Sequence, residues 1–126
     1  MLRNDLREVT IVTENDLFWK DLEKDLGRTR FKKSFLLESI RTATIDEVVN
    51  TLDAARQRQE VSKSQLAQRV EVEPASVRRL FSSRNPNPTL GTLAEIAAAL
   101  GMRIVLEELP KKKREQLVRA LNPEIH

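Results

Sequence analysis

Residues 62–81, SKSQLAQRVEVEPASVRRLF, read as two short helices joined by a tight turn. Ser62 suits the N-cap position, because its hydroxyl can accept a backbone N–H at the open helix end. Leu66, Ala67 and Val70 then fall at helical spacing on one face. The turn is Glu71-Val72-Glu73, and Val72, its one apolar residue, is placed to plug into a core. Glu73 is the expected cap of the second helix, with Pro74 at its first position, where a missing N–H costs nothing. Val77, Leu80 and Phe81 make the inward face of that helix. Ala75, Ser76, Arg78 and Arg79 are left outside.

A Leu-Ala pair, Val70, a turn with one buried aliphatic, then Val77 and Leu80 is the hydrophobic code of a helix-turn-helix. In that motif the second helix enters the DNA major groove with its outward face against base edges. The side chains fit this chemically: Arg79 can form a bidentate pair with guanine, Ser76 can bond to base or phosphate, and Ala75 can touch a thymine methyl. The plainer alternative is two packed helices with solvated arginines. Helix lengths, turn and local charge together favour DNA.

Residues 46–101 resemble the lambda-repressor-like (XRE) helix-turn-helix domain. Ser62, Lys63, Leu66 and Ala67 match its capped second helix, Val70 and Val72 follow in register, and Ser76-Val77 and Arg79-Leu80 match its recognition helix. Downstream, Asn87 to Gly101 (NPTLGTLAEIAAALG) is similar to the family's fourth helix. The resemblance implies a mainly α, five-helix fold and a sequence-specific regulator binding a palindromic operator as a homodimer. Arg79, Ser76 and Ala75 would then read bases. Ser62, Lys63, Arg78, Arg84 and Asn85 would hold phosphates. Small size and an aromatic-rich extension make the chain similar to HigA-type antitoxins, which implies a ribonuclease toxin as partner and repression of its own operon. A stand-alone or phage-type repressor, and a protein-interaction module on the same scaffold with weak DNA binding, stay open beside it.

Three residues depart from the family pattern. Glu71 stands where glycine is usual, so a left-handed turn is strained there or the turn relaxes. Pro74 cannot donate a hydrogen bond, and the Glu73 carboxylate would repel phosphate. Base reading is therefore expected to shift toward Ser76, Arg79 and their neighbours.

Working outward, Thr44 is placed to cap a helix over about 45–59, with Val48, Val49, Leu52 and Ala55 inward. Arg56 and Arg58 end it, facing phosphate or complementing the helix dipole. SSRNPNP (82–88) is a loop by composition, and its Arg84, Asn85 and Asn87 are candidates for backbone contact. Thr89 caps a helix over Leu90–Leu100, closed by Gly101. MRIVLEEL (102–109) reads as a short strand that needs a partner, either residues 8–13 (EVTIVT) or its own copy in a second subunit. Pro110 ends it, and KKKREQLVRAL (111–121) predicts a basic helix.

Upstream, helices are expected over about 15–26 and 30–41. They carry Phe18, Trp19, Phe31 and Phe35, as packing for a small hairpin or as an apolar surface for a partner. The chain thus divides into an arm and helical hairpin (1–44), the DNA-binding domain (45–101) and a strand with basic tail (102–126).

Composition narrows the function classes. Net charge is +3, yet residues 56–84 carry seven basic and three acidic side chains. That unevenness is the expected footprint for phosphate contact. There is no cysteine, the single histidine is His126, and the three glycines form no phosphate loop. Cofactor, metal site and enzyme activity are accordingly not expected. No apolar run is long enough for a membrane span. The N-terminus mixes Arg3, Asp5, Arg7 and Glu8 without a signal-peptide core, so a cytoplasmic location is expected.

Overall fold

Residues 33–122 are described by the computed structural model, and among them lie five α-helices and no strand. The first, α1 (Lys33–Arg58), has 26 residues, roughly 39 Å at 1.5 Å per residue. It runs unbroken where the periodicity predicts two helices, and Thr44 sits in its interior rather than at a cap. Thr42-Ala43-Thr44 holds neither Gly nor Pro, and a threonine hydroxyl competes only weakly with the helical hydrogen-bond ladder. The C-terminal half of α1 supplies Val49, Leu52 and Ala55 to the central core. Leu36 is buried apart from that cluster, while its neighbour Phe35 is 56% exposed.

The next three helices lie within a residue or so of their expected bounds: α2 (Lys63–Val70), α3 (Pro74–Ser82) and α4 (Leu90–Ala99). Helix α2 packs on α3 and α4, and α1 closes over α3 and α4. Leu66, Ala67, Val77, Ile96 and Ala97 meet in the centre and are essentially inaccessible. Burying a side chain of this size stabilises by about 1.5–3 kcal/mol relative to exposure. Thr89 caps α4 as expected, accepting from the Thr92 N–H at 3.1 Å. Helix α5 (Lys111–Leu121) forms where the basic helix is predicted and buries no residue.

Three helices end by the same device. Glu60 (φ 57°), Glu71 (φ 56°) and Gly101 (φ 75°) are left-handed just past α1, α2 and α4. The N–H of the following residue then reaches back five positions: Val61 to the Arg56 carbonyl at 3.0 Å, Val72 to Ala67 at 3.1 Å, Met102 to Ala97 at 2.7 Å. This Schellman closure satisfies carbonyls that the helix leaves open, and its apolar residue turns inward. Val61 is buried, and Val72 and Met102 pack against the same core. Glycine enters the left-handed region freely, whereas a glutamate does so at roughly 1–2 kcal/mol. The Glu71 turn has kept its left-handed form instead of relaxing, and Glu60 repeats the strain one helix earlier.

Two expectations are corrected beyond Gly101. Between 45 and 101 the chain carries four helical segments, not five, because the left-handed Gly101 stops α4 and β-branched Ile104 and Val105 favour extended backbone. Residues 102–109 form neither helix nor strand, since no ladder partner lies among the described residues. The proposed partner strand at 8–13 lies outside those residues.

Candidate nucleic-acid interface

The two helices of the motif begin very differently. At α2, Ser62 and Gln65 form a full capping box: Ser62 Oγ accepts from the Gln65 N–H at 3.0 Å, and the Ser62 N–H donates to Gln65 Oε1 at 2.8 Å. The first-turn amides of Lys63 and Ser64 have no backbone acceptor among the described residues. Together with the helix dipole they form an electropositive end suited to a phosphate oxygen. Lys63 is half-buried there, its Nζ 3.5 Å from Ser82 Oγ, which links the start of α2 to the end of α3.

At α3, Glu73 occupies the cap position by backbone geometry, but its side chain makes no capping bond. Its carbonyl takes the Ser76 N–H at 2.9 Å, and Pro74 has no N–H to give. The start of α3 therefore offers fewer amides to an anion than the start of α2, and its recognition capacity rests on side chains. Val77 and Leu80 fix its inner face; Ala75 and Ser76 are half-buried, while Arg78 and Arg79 are exposed. Arg79 Nη2 donates to Ser76 Oγ at 3.3 Å, so the two proposed base readers are coupled one turn apart.

Ser76 and Arg79 share the edge of a concavity of ≈ 390 Å³ with Asn85 and Asn87 of the loop, above apolar Val77, Leu80 and Ile96. Ala75, Arg78, Arg84, Ser62 and Lys63 do not line it. Arg84 and Asn85 are exposed on the loop after α3. The loop is anchored by a residue that no local pattern singles out: Arg41 of α1 donates from Nη2 to Asn87 Oδ1 at 2.6 Å. Glu38 lies 3.7 Å from the same guanidinium. Asn87, a candidate backbone contact, thus has its carbonyl oxygen engaged in holding the loop.

Arg56, a candidate phosphate contact, is engaged internally, and so is Arg69, another of the basic residues between 56 and 84. Arg56 pairs with Asp53 at 2.9 Å, donates to the Val61 carbonyl at 2.9 Å and lies 5.7 Å from the centre of the Phe81 ring. Arg69 donates to the Ala99 carbonyl at 3.0 Å, covering the C-terminal end of α4. Both are fastenings between elements. Lys63, Arg78, Arg79 and Arg84 remain at or beside the α2–α3 surface, with Arg58 at the end of α1.

Among the described residues no group of three or more His, Cys, Asp or Glu is placed to hold a metal ion, and no helix is long and apolar enough to cross a membrane. Of the proposed partner-binding aromatics, Phe35 is exposed on α1, and Phe18, Trp19 and Phe31 lie outside the described residues.

Comparison with curated proteins and with solved structures returns no match. A family model described as a helix-turn-helix domain matches residues 47–109, half of the chain. That span begins inside α1, takes in the capped α2, the strained Glu71 turn, α3 and α4, and continues to residue 109 in the segment beyond Gly101. The chain belongs to the helix-turn-helix domain family.

Proposed function

We propose that this protein is a sequence-specific, double-stranded DNA-binding transcriptional repressor that acts as a homodimer on a palindromic operator. The observation that carries the proposal is the outer face of α3, where exposed Arg79 is coupled to Ser76 beside the open amides of α2. In this reading α3 enters the major groove, Arg79, Ser76 and Ala75 contact base edges, and Ser62, Lys63, Arg78, Arg84 and Asn85 contact phosphates. Two such helices in a symmetric dimer span successive grooves, about 34 Å apart. A gel-shift titration on the DNA upstream of its own gene, at two salt concentrations and with unrelated duplex as competitor, tests it. Binding that survives competitor and weakens with salt is expected. Binding no better than to the competitor would remove the operator claim.

Within that function we place the chain as the antitoxin of a toxin–antitoxin module. Its support is the resemblance to HigA-type antitoxins and the exposed Phe35 on the part of α1 that precedes the matched domain. Aromatic side chains of this kind serve as anchors at protein interfaces. A small ribonuclease encoded by the adjacent gene should co-purify with the wild-type chain and be lost from Phe35→Ala or Trp19→Ala, with DNA binding retained. Loss of neither would leave a stand-alone repressor. The rival reading, a protein-interaction module with weak DNA binding, draws on Glu73 and Pro74 at the start of α3 and on the internal engagement of Arg56 and Arg69. The same gel shift separates it.

A further inference from the structure

The segment after α4 is held at both ends and open along its middle. Met102 closes α4 onto the Ala97 carbonyl at 2.7 Å. At the other end the Arg114 N–H bonds the Pro110 carbonyl at 2.8 Å, and Arg114 Nη1 reaches Glu108 at 3.0 Å. Residues 103–109 lie outside any helix, strand or turn between these anchors, with no backbone–backbone hydrogen bond among the described residues. Val105 is 65% and Leu106 97% exposed, and Ile104 is also exposed. An exposed stretch rich in β-branched and aliphatic residues, with open backbone N–H and C=O groups, is suited to strand addition.

We propose that this segment pairs with the same segment of a second copy, as a two-stranded antiparallel ladder centred on Val105. The occupant follows from the side chains, because the sequence is complementary to itself in that register. Val105 faces Val105 of the partner subunit, and Arg103 faces Glu107 of the partner subunit on the same side of the ladder. On the other side Ile104 faces Leu106 of the partner subunit. Both contacts recur by the two-fold symmetry. A two-fold antiparallel pair can slide only in steps of two residues: one step sets Val105 against Glu107, and the opposite step sets Arg103 against Val105. Directly opposed charges and aliphatic pairs stabilise a ladder, so the central register is selected. Neither Arg103 nor Glu107 has an ion-pair partner among the described residues, whereas Glu108 is already held by Arg114. Exposed Ile104 and Leu106 would be covered by their counterparts on one face.

This interface deepens the dimer invoked for DNA binding, yet it stands on the segment alone and can be tested without DNA. Sedimentation velocity of the full chain over a concentration series is expected to show a monomer–dimer equilibrium. Glu107→Arg and Arg103→Glu each convert two attractive cross-strand pairs into repulsive ones, which should raise the dimer dissociation constant about ten-fold or more. The double variant restores the pairing with reversed polarity and should return the constant to near the wild-type value. Both substitutions fall on exposed side chains outside the core, and circular dichroism can check that each of the three variants is folded. A wild-type chain that stays monomeric overturns the proposal, as would be the case if residues 8–13 of the same chain cover the segment. So does a dimer that ignores the single reversals, or one that the double variant fails to recover. A failed gel shift with this dimer intact would reject only the DNA reading.

Discussion

Leu66 and Leu106 stand in two parts of one family domain and live in opposite surroundings. Leu66 on α2 is fully buried, and Leu106, beyond α4, is 97% exposed. The α2–α3–α4 unit closes most of its helix ends within itself: a capping box opens α2, Thr89 opens α4, and Schellman turns close α1, α2 and α4. The segment beyond Gly101 leaves Val105 and Leu106 largely exposed, and its residues 103–109 make no backbone–backbone hydrogen bond among the described residues. One region is finished by the described chain itself; the other has the composition of a core strand but meets no partner strand among the described residues. The same distinction explains why α3 can present arginines outward: its inner face and neighbours are already satisfied.

Core substitution gives the largest contrast. Leu66→Ala should cost about 2–5 kcal/mol in urea unfolding, through lost burial and the cavity left behind. Leu106→Ala, measured below the concentration at which copies associate, should change stability by no more than about 0.5 kcal/mol. Similar costs at both sites would break the comparison. Next in size, Arg79→Ala should lose about 1–3 kcal/mol of affinity for the operator, a factor of roughly 5–150 in Kd, at an unchanged melting temperature. An equal loss on scrambled duplex would make Arg79 a phosphate contact instead.

Smaller effects sharpen the account of the turns. Relieving the left-handed glutamate in Glu71→Gly should stabilise by about 1 kcal/mol, after the added chain entropy of glycine is deducted. Gly101→Ala should destabilise by about 1–2 kcal/mol, since a Cβ there meets nothing within 4 Å and the cost is backbone conformation alone. Thermal unfolding of the two variants should therefore move in opposite directions. The smallest expected signal is electrostatic: Lys63→Ala should lower the slope of log K against log salt by about one unit, if Lys63 meets a phosphate.

The α2–α3–α4 unit was legible because its boundaries are written in local chemistry. Ser62 with Gln65, Pro74, Thr89 and Gly101 each specify a helix end within a few residues of themselves. The continuity of α1 was not legible, since Thr44 can cap a helix or continue one and only the absence of a nearby Gly or Pro argues for the latter. Internal uses of arginine were harder still. Arg56 and Arg69 end on main-chain carbonyls, which no side-chain pattern announces, and Arg41 reaches a loop 46 residues away. Exposed Arg78 and Arg79 follow directly from the spacing of Val77 and Leu80. Beyond Gly101 the β-branched residues pointed to a strand that the described residues do not form, because strand pairing is a property of two segments and composition describes only one.

Selection of bound duplexes from a random-sequence pool, using the full chain at near-physiological salt, tests the central claim most directly. DNA reading through α3 by a two-fold dimer predicts enrichment of an inverted repeat whose half-site centres lie about 10 base pairs apart, or a multiple of that turn. Arg79→Ala should relax one defined position in each half-site. A pool that gains no common sequence after repeated rounds, while the chain remains folded, would contradict sequence-specific recognition.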